Sequence, residues 1–218
     1  MKRTLIVTED GSNSLFIEQM GETYHSRHGA VQESLHVYIK NGLSFVEKDE
    51  IAILEFGFGT GLNALLTEAY AQKKQVNIQY ETIEAYPLQK DEYELLNYDE
   101  FVQSSVPFNK LHEIPWNTQE ALNERFSILK HRTTIESFTT DKKFDLIYFD
   151  VFGYYYQPEL WSEEILKKVH HFLNINGLFV TYACKGIVNK TLKSLGFEVR
   201  KLAGPPGKRE MTLAVKIF

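Results

Sequence analysis

The sequence predicts an α/β fold of the Rossmann-like type, in which a mostly parallel seven-stranded sheet alternates with helices. Three observations lead to this prediction. After residue 49, short apolar strand patterns alternate with amphipathic helix patterns, as a parallel sheet with crossover helices requires. The first of these strands, 51–56, runs directly into a glycine-rich turn and a helix start. The last two strand patterns are joined by the glycine- and proline-rich residues 203–207, which predict a C-terminal antiparallel hairpin.

The N-terminal residues predict a small hairpin and helix extension that packs on this core. Residues 4–8 and 14–19 have strand patterns, and the turn-forming residues 9–13 between them indicate a hairpin. Residues 29–40 have the apolar spacing of a helix, and Asn41 and Gly42 are typical of a helix end. We therefore divide the chain into an N-terminal extension, residues 1–48, and one larger domain, residues 49–218.

Within the larger domain, apolar periodicity predicts the remaining helices and strands. The predicted helices cover residues 62–73, 88–98, 118–129, 162–173 and 187–194, and Ser162 is a suitable N-cap for the fourth. The predicted strands cover residues 51–56, 77–84, 131–135, 144–150, 177–182, 196–202 and 211–217. Right-handed crossovers bring the carboxyl ends of parallel strands to one edge. We therefore expect the glycine loop, Glu84 and Asp150 to converge there.

Composition limits the class of protein. The 218 residues suffice for one ample core, and 43% hydrophobic with 24% charged residues is ordinary for a globular protein. No apolar run reaches membrane-spanning length, so we expect a soluble, cytoplasmic protein that does not bind a membrane. The single cysteine excludes an internal disulfide. No cysteine and histidine spacing resembles a zinc site, so no metal is expected.

The charge is unevenly distributed along the chain. The formal net charge of −5 argues against a protein coated in nucleic acid, yet residues 185–209 hold seven basic side chains and one acidic side chain. Lys185, Lys208 and Arg209 are candidate substrate contacts, because this end of the molecule can face phosphate. An alternative interpretation is that these are solvated side chains on a surface helix and strand.

The turn after strand 51–56 predicts a nucleotide-cofactor site. Gly57, Gly59 and Gly61 allow positive φ angles and close approach of a ligand, and the helix that starts near Thr60 directs unpaired amides at it. A dinucleotide site usually has the spacing G-x-G-x-x-G. The spacing E-x-G-x-G-x-G found here resembles the first motif of class I S-adenosylmethionine-dependent methyltransferases, with Phe58, Thr60 and Asn63 among its candidate cofactor contacts. A flavin, a nicotinamide or a non-catalytic turn remains an alternative.

Two acidic residues accompany this loop. Glu84 follows Gly61 by 23 residues, close to the spacing at which a carboxylate accepts hydrogen bonds from ribose hydroxyls. Glu55 directly precedes Phe56 and the loop, where it can orient the loop or meet an amino group of the cofactor. Both carboxylates favour a cationic ligand.

Asp150 ends a buried strand and precedes a loop rich in aromatic residues. A carboxylate in this position can hold a substrate amine and accept its proton as a general base, so Asp150 is the candidate catalytic residue. Phe152 and Tyr154 to Tyr156 can stack on an unpaired base, with Phe152 and Tyr154 as the principal candidates. The alternatives are that Asp150 braces its loop and that the aromatic side chains pack beneath it.

The chain resembles the MnmC-like methyltransferases, which include a stand-alone form called MnmD. The resemblance rests mainly on the glycine loop with Asn63, on the Pro-Glu-Leu-Trp sequence of residues 158–161, and on the Gly-Lys-Arg-Glu-Met sequence of residues 207–211. Shorter similar segments are residues 24–26, 33–34, 177–182 and 196–201. The resemblance covers nearly the whole chain.

This resemblance implies an activity. Members of that family use S-adenosyl-L-methionine to methylate the 5-aminomethyl group of 5-aminomethyl-(2-thio)uridine at the tRNA wobble position. The glycine loop, Glu55 and Glu84 would bind the cofactor, and Asp150 would lie at the methyl-transfer site. The implied partner is the anticodon stem-loop of tRNA. An upstream enzyme or domain must make the aminomethyl precursor, because the oxidase domain of the bifunctional MnmC proteins has no counterpart here.

The sequence also departs from the family. Val151, Gly153 and Tyr154 differ from the usual residues after the fourth strand, which affects the shape of the substrate pocket. Residues 133–136 replace a glycine-aspartate pair near the adenine, so no adenine contact is assigned there. Two other functions remain open: a methyltransferase that acts on a small amine, and a non-catalytic nucleotide- or RNA-binding module.

Overall fold

The N-terminal part of the chain forms a small antiparallel sheet and a helix. The computed structural model describes residues 2–218. β1 (Arg3–Val7), β2 (Asn13–Ile17) and β3 (Glu22–Thr23) pair antiparallel in that order. α1 (Ala30–Ser34) continues as π-helical turns through Leu35–Lys40. The predicted hairpin and helix are confirmed, whereas β3 and the π-helical form were not predicted.

The main sheet contains the other eight strands of residues 2–218. These are β4 (Glu50–Phe56), β5 (Asn77–Ile83), β6 (Gln119–Ala121), β7 (Phe126–His131), β8 (Phe144–Phe149), β9 (Leu173–Thr181), β10 (Phe197–Ala203) and β11 (Glu210–Lys216). Their order across the sheet is β10-β11-β9-β8-β4-β5-β7-β6. The five central strands from β9 to β7 run parallel, and β11 is antiparallel to both β9 and β10.

This topology confirms the predicted α/β class, the parallel core and the C-terminal antiparallel hairpin. The difference is one additional short edge strand, β6, which is antiparallel to β7. The register also confirms that the expected strand ends converge. Phe56 pairs with Ile83 on one side and with Phe149 on the other. The next residue of each strand, namely Gly57, Glu84 and Asp150, therefore leaves the sheet at the same edge.

Helices cover both faces of the main sheet. They are α2 (Leu62–Lys74), α3 (Lys90–Tyr93), α4 (Phe108–Glu113), α5 (Glu163–Phe172) and α6 (Gly186–Ser194). α5 begins as predicted, because Ser162 Oγ accepts a hydrogen bond from the Ile165 amide and two glutamates occupy its first turn. None of the helices between residues 2 and 218 combines the length and apolar character that a membrane-spanning segment needs.

The predicted helix over residues 118–129 is wrong. These residues form β6, a tight turn and the start of β7, which ends at His131. Phe126, Ile128 and Lys130 alternate as buried side chains, which is the two-residue period of a strand. Asn123 Oδ1 accepts the Arg125 amide hydrogen at 2.9 Å and closes the turn. Because β7 starts and ends earlier than expected, the predicted strand 131–135 is also wrong, and residues 132–135 are a loop.

The helix predicted over residues 88–98 is confined to α3 and a later 3-10 turn, Tyr98–Glu100. The chain leaves the helical path because Leu96 and Tyr98 are buried in the core and Asn97 Oδ1 accepts a hydrogen bond from the Asn13 amide. α4 was not predicted. Tertiary contacts therefore override local helix preference along this part of the chain.

Each face of the sheet has its own apolar core. One core contains Ile53 and Tyr148 together with α2 and side chains of the N-terminal residues, such as Val31 and Val37. The other contains Leu54, Phe149 and the apolar faces of α5 and α6. The N-terminal residues thus share a core with the main sheet. The proposed division between residues 48 and 49 stays a prediction.

Candidate active site

The glycine loop between β4 and α2 depends on backbone shapes that favour glycine. Gly57 has φ +92°, and a Cβ atom there would lie 2.6 Å from the carbonyl oxygen of Asp150. Gly61 has φ +77° and is the N-cap of α2, where a Cβ would lie 3.1 Å from His112 Nε2. The loop therefore passes so close to its neighbours that side chains are excluded at these two positions.

Two histidines contact the glycine loop at Thr60. His112 Nε2 lies 2.9 Å from the Thr60 carbonyl oxygen, and His25 Nε2 lies 2.7 Å from Thr60 Oγ1. Burial lowers the pKa of each histidine to about 4, so both rings are neutral at physiological pH. Phe58, which is buried, packs its ring on His112 with the centroids 5.2 Å apart. The loop is thus fixed by neutral hydrogen bonds and packing.

Asn63 joins the two carboxylates at the centre of the site. Its Nδ2 donates to Glu55 Oε1 at 3.0 Å and to Asp150 Oδ2 at 2.7 Å. Thr82 Oγ1 donates to the other oxygen of Glu55 at 2.8 Å. Burial raises the pKa of Glu55 to about 8 and that of Asp150 to about 6. The two carboxyls therefore differ, because Glu55 holds its proton at neutral pH and Asp150 is largely ionised.

Glu84 stands beside the glycine loop. Its Oε2 accepts a hydrogen bond from the Gly59 amide at 2.9 Å, and its Oε1 accepts one from the Tyr86 amide at 2.8 Å. Each carboxylate oxygen retains a second lone pair. Glu84 can therefore brace the loop and accept hydrogen bonds from a diol at the same time.

One cleft of about 560 Å³ contains this constellation, and Asp150 is one of its lining residues. We call the part next to the glycine loop the cofactor half; it is lined by the loop, Glu84 and residues 133–136. We call a second part of the lining the acceptor half. It consists of residues of the segment 22–28, Glu33, residues 151–153, 157, 159 and 160, Tyr182 and Lys208.

Aromatic side chains form the walls of the acceptor half. The rings of Tyr24 and Phe152 meet edge to face with their centroids 5.3 Å apart. Arg3 Nε donates to Tyr24 Oη at 3.0 Å, and the Arg3 guanidinium also pairs with both oxygens of Glu92. Tyr182 Oη donates to the Val151 carbonyl at 2.9 Å. The N-terminal extension therefore supplies one wall, and the main sheet supplies the other.

An ion pair forms part of the lining of the acceptor half. Lys208 Nζ donates to Glu33 Oε1 and lies 4.0 Å from the centre of the Tyr182 ring. The Ser26 amide donates to Glu33 Oε2 at 2.7 Å. Lys208 thus turns into the cleft and does not extend outward as a surface cation.

Most of the predicted site residues lie together. The predicted residues that line the cleft are Gly57, Phe58, Gly59, Thr60, Asn63, Glu84, Asp150, Phe152 and Lys208. Glu55 lies beneath the cleft, where it contacts Asn63, and Gly61 caps α2. Tyr154 packs on the core of the second sheet face. Lys185 and Arg209 lie outside the cleft lining, and Arg209 is exposed.

In the loop after β8, the exposed tyrosines are Tyr155 and Tyr156, whereas Tyr154 is partly buried. Tyr155 is 80% exposed, and Lys185 Nζ lies 3.9 Å from the centre of its ring. The predicted stacking role of Tyr154 to Tyr156 stays a prediction, and the exposed rings among them are those of Tyr155 and Tyr156. Both Tyr155 and Lys185 present their groups at the surface next to the loop that forms the acceptor wall.

Sequence reasoning missed several residues of the cleft. Tyr24, His25 and Glu33 belong to segments that resemble the MnmC-like family, yet no role was assigned to them. Their contribution becomes visible when the N-terminal extension is seen to pack across the strand ends. Residues 133–136, for which no cofactor contact was assigned, line the cofactor half.

The predicted cofactor fits the cofactor half. Gly57, Gly59 and Thr60 of the loop line this half together with Glu84, whose carboxylate oxygens can accept hydrogen bonds from a ribose diol. Asn63 Oδ1 is buried and lacks a hydrogen-bond partner within residues 2–218. Across the same residues, no cluster of three or more His, Cys, Asp or Glu side chains is arranged to hold a metal ion.

Comparison with known proteins yields a family and several relatives. Residues 93–217 match the model of a family described as S-adenosyl-L-methionine-dependent methyltransferase. The bifunctional protein MnmC of Marinomonas sp. (strain MWYL1), named for tRNA 5-methylaminomethyl-2-thiouridine biosynthesis, is 29% identical over 218 residues, which covers 89% of this chain and 31% of that protein. MnmC of Cupriavidus metallidurans is 26% identical and covers 96% of this chain and 33% of that protein. The chain thus spans about a third of the length of these relatives.

Solved structures give a consistent result. MnmC2 from Aquifex aeolicus superimposes with a TM-score of 0.78 at 26% identity, covering 98% of this chain and 70% of that chain. Spermidine synthase from Thermotoga maritima superimposes with a TM-score of 0.59 at 11% identity, covering 98% of this chain and 68% of that one. The second likeness shows a shared fold and carries no information on the reaction.

Proposed function

The chain belongs to the family of S-adenosyl-L-methionine-dependent methyltransferases whose model it matches, and on this premise we propose that it methylates a wobble uridine of tRNA. The proposed acceptor is the 5-aminomethyl group of 5-aminomethyl-(2-thio)uridine, and the product is the 5-methylaminomethyl nucleoside. The observation that carries the proposal is that Asp150 lines the same cleft as the glycine loop and the aromatic side chains Tyr24, Phe152 and Tyr182. Similarity to the MnmC proteins over most of the chain supports the choice of substrate.

The proposed cofactor contacts are made by the glycine loop and its neighbours. The loop amides and Asn63 would hold the amino-acid end of the cofactor, and Glu84 would accept hydrogen bonds from the ribose hydroxyls. Glu55 does not line the cleft, and its proposed role is to hold Asn63 in place through the bond to Nδ2. When bound, S-adenosylmethionine supplies an electrophilic methyl group on a sulfonium.

Asp150 is the proposed catalytic residue. A primary amine is mostly an ammonium at neutral pH and must lose a proton before its lone pair can form the new N–C bond. The ionised carboxylate of Asp150 can accept that proton and pass it to water, while it holds the nitrogen in line with the methyl group. The pKa of Asp150, which burial raises to about 6, suits a base that works near neutral pH.

The proposed acceptor half is closed by Tyr24, Phe152 and Tyr182, whose rings can stack on or surround a base that has left its helix. Outside the cleft, Tyr155 can stack on a neighbouring unpaired base. Lys185 and Arg209 are proposed to meet phosphates of the anticodon stem-loop. A tRNA substrate would place the reaction in the cytoplasm and would require an upstream enzyme or domain that makes the aminomethyl group.

Transfer of labelled methyl groups tests this proposal. We expect the protein to transfer label from S-adenosylmethionine to tRNA isolated from cells that lack it, and nucleoside analysis to find the label in 5-methylaminomethyl uridines. Bulk tRNA from complemented cells, whose sites are already methylated, is the matched control. Label in small amines and in no tRNA would contradict the proposed substrate, and binding of RNA without transfer to any acceptor would contradict catalysis.

The variant Asp150→Asn tests the proposed role of the carboxylate in the same assay. It keeps the shape of the side chain and an oxygen for Asn63, but it cannot accept the substrate proton. We expect the single-turnover rate to fall by about 100-fold or more, with cofactor affinity retained within about threefold. Asp141→Asn, on an exposed loop, is the matched control. A rate for Asp150→Asn close to that of the control would remove Asp150 from the mechanism.

A further inference from the structure

A partly buried ion pair joins the N-terminal extension to the C-terminal hairpin inside the acceptor half. The side chain of Glu33, on α1, is 7% exposed, and that of Lys208, between β10 and β11, is 32% exposed. Glu33 also accepts the hydrogen bond from the Ser26 amide. A carboxylate at this depth requires a cationic partner, because an unpaired buried charge is costly. Glu33 therefore holds the ammonium of Lys208 in the cleft.

The charges of this pair reach the proposed catalytic residue. Burial is the largest cause of the raised pKa of Asp150; beyond it, the charge of Glu33 raises that pKa further and the charge of Lys208 lowers it. Lys208 Nζ also contacts the face of Tyr182, whose hydroxyl donates to the residue after Asp150. The pair therefore influences the electrostatic potential at the position where the acceptor nitrogen must meet Asp150.

We propose that Glu33 and Lys208 are positioning residues that set the protonation of the acceptor amine. The inference rests on the proposed function, in which the acceptor is a primary amine. A fixed cation next to the amine favours its neutral form, which has the lone pair needed for methyl transfer, and a fixed anion favours the ammonium. Lys208 supplies the cation. Glu33 holds it inward and offsets part of its charge, so that an ammonium can still enter.

Other titratable groups face the same space from the surrounding elements. Glu22, Tyr24, His25, Arg27 and His28 come from the segment after β2, and Glu159 comes from the loop after β8. Burial lowers the pKa of His25 to about 4 and raises that of Tyr24 to about 12, so both stay uncharged between pH 5.5 and 9. On the cofactor side, the charged groups are Glu84 and Glu136.

The test must therefore change one charge of the pair while these groups stay in place. We would measure single-turnover methyl transfer to tRNA with saturating cofactor and RNA from pH 5.5 to 9. Glu33→Gln leaves the cation uncompensated, so the acid midpoint of the rate profile should move to lower pH. Lys208→Met leaves the anion uncompensated, so the midpoint should move to higher pH. We expect each shift to be about 0.5 to 1 pH unit.

The double variant and the charge-preserving variants make the test specific. Glu33→Gln with Lys208→Met has the same net charge as the wild type at this position, so its midpoint should lie between those of the single variants. Lys208→Arg keeps the cation and should keep the wild-type midpoint. Glu163→Gln and Lys167→Met are matched controls, because this ion pair on α5 has a 2.7 Å contact and both side chains are 61% exposed. These two controls should not move the midpoint.

The outcomes separate the inference from the proposed function. Midpoints that do not move, or that move in the same direction in both single variants, would overturn the inference while methyl transfer by the wild type still supports the function. A weaker KM for tRNA in Lys208→Met with an unchanged midpoint would identify Lys208 as a phosphate contact and would also overturn it. If Lys208→Met does not fold, the rate-profile midpoints of Glu33→Gln and Lys208→Arg are compared instead. The inference requires a lower midpoint in Glu33→Gln than in Lys208→Arg. A wild type that methylates no tRNA would remove both proposals.

Discussion

At the scale of single residues, the carboxyl of Glu55 is completely buried and shares the donor Asn63 Nδ2 with Asp150. It is 0% exposed and accepts hydrogen bonds from Asn63 and Thr82. Desolvation disfavours its charged form more than these bonds favour it, so its pKa rises to about 8. A neutral Glu55 leaves Asp150 as the ionised carboxylate of the pair, which is the state that the proposed mechanism needs.

This raised pKa predicts a pH dependence of stability. Between the ordinary pKa of 4.5 and the folded value of about 8, the folded protein binds the Glu55 proton and the unfolded chain does not. The contribution is thus fully present below pH 4.5 and is lost as pH rises through about 8. We compare the free energies of unfolding of the cofactor-free wild type and Glu55→Gln. The difference, wild type minus variant, should be a few kcal/mol larger at pH 5 than at pH 8.5.

Urea unfolding of the two proteins at both pH values measures this difference. Asp150 also titrates in this range and is present in both proteins, so the comparison measures Glu55 together with its interaction with Asp150. Glu124→Gln, a change at an exposed glutamate, is the matched control and should follow the wild type. Parallel profiles for the wild type and Glu55→Gln would show that Glu55 is ionised in the folded protein at neutral pH.

The residues that sequence reasoning found are those whose position follows from the sheet. Gly57, Glu84 and Asp150 each follow the last residue of a parallel strand, so the register alone brings them together. Glu33 and Tyr24 reach the same cleft from outside the sheet. Their positions depend on how the N-terminal extension packs, which no local pattern encodes. The inward direction of Lys208 depends on Glu33, so the sequence predicted a basic residue without its buried partner.

At the scale of elements, the connection from β4 to α2 is where backbone geometry limits the sequence most strictly. Gly57 has φ +92°, and a Cβ atom added there would lie 2.6 Å from the carbonyl oxygen of Asp150. An alanine there would have to push the loop away from the strand end that holds Asp150. Gly186, at the start of α6, has open space within 4 Å of its Cβ position and is the matched position.

We expect Gly57→Ala to weaken S-adenosylmethionine binding by about tenfold or more and to lower the free energy of unfolding by about 1 to 3 kcal/mol. Gly186→Ala should leave both quantities nearly unchanged. Calorimetric titration with the cofactor and urea unfolding measure the two effects. Equal cofactor affinity in Gly57→Ala and Gly186→Ala would show that the loop conformation does not shape the binding site.

Elements were predicted well where burial is periodic and poorly where long-range contacts decide. α5 has an apolar stripe, an N-cap serine and acidic residues in its first turn, so every local signal agrees. Residues 118–129 lack such agreement, because their apolar residues fit a helix and a strand about equally well. A tertiary contact of Lys130 favours the strand. Its ammonium donates to the carbonyls of Leu111 and His112 at the end of α4, a helix that was not predicted.

At the scale of the whole molecule, the N- and C-terminal parts of the chain meet across the active-site cleft. The segment 22–28 and Glu33 form one side of the acceptor half, and Lys208 reaches it from the β10–β11 hairpin. Lys208 is paired with Glu33 inside the cleft. The candidates for contacts with RNA phosphates are therefore the exposed basic residues of the hairpin region. Arg209 is the exposed neighbour of Lys208, and it is the residue that best tests this assignment.

Arg209→Glu should weaken binding of tRNA and reduce its dependence on salt. A phosphate contact releases counterions, so its loss should lower the slope of log K against log salt by about 1. Lys167→Glu, at an exposed position on α5, makes the same change in net charge away from the cleft. Affinities measured from 50 to 200 mM salt, values chosen to span about a half-order of magnitude in ionic strength, compare the two variants.

The control separates a local contact from the long-range field of the molecule. The protein carries a formal net charge of −5, so any added negative charge slows approach of RNA to some degree. If Arg209→Glu and Lys167→Glu weaken binding equally, the effect comes from net charge and the hairpin is not the RNA-binding face. If Arg209→Glu alone lowers the slope while cofactor affinity is unchanged, the C-terminal hairpin serves the reaction with two adjacent cations, Arg209 outside for the RNA backbone and Lys208 inside for the acceptor.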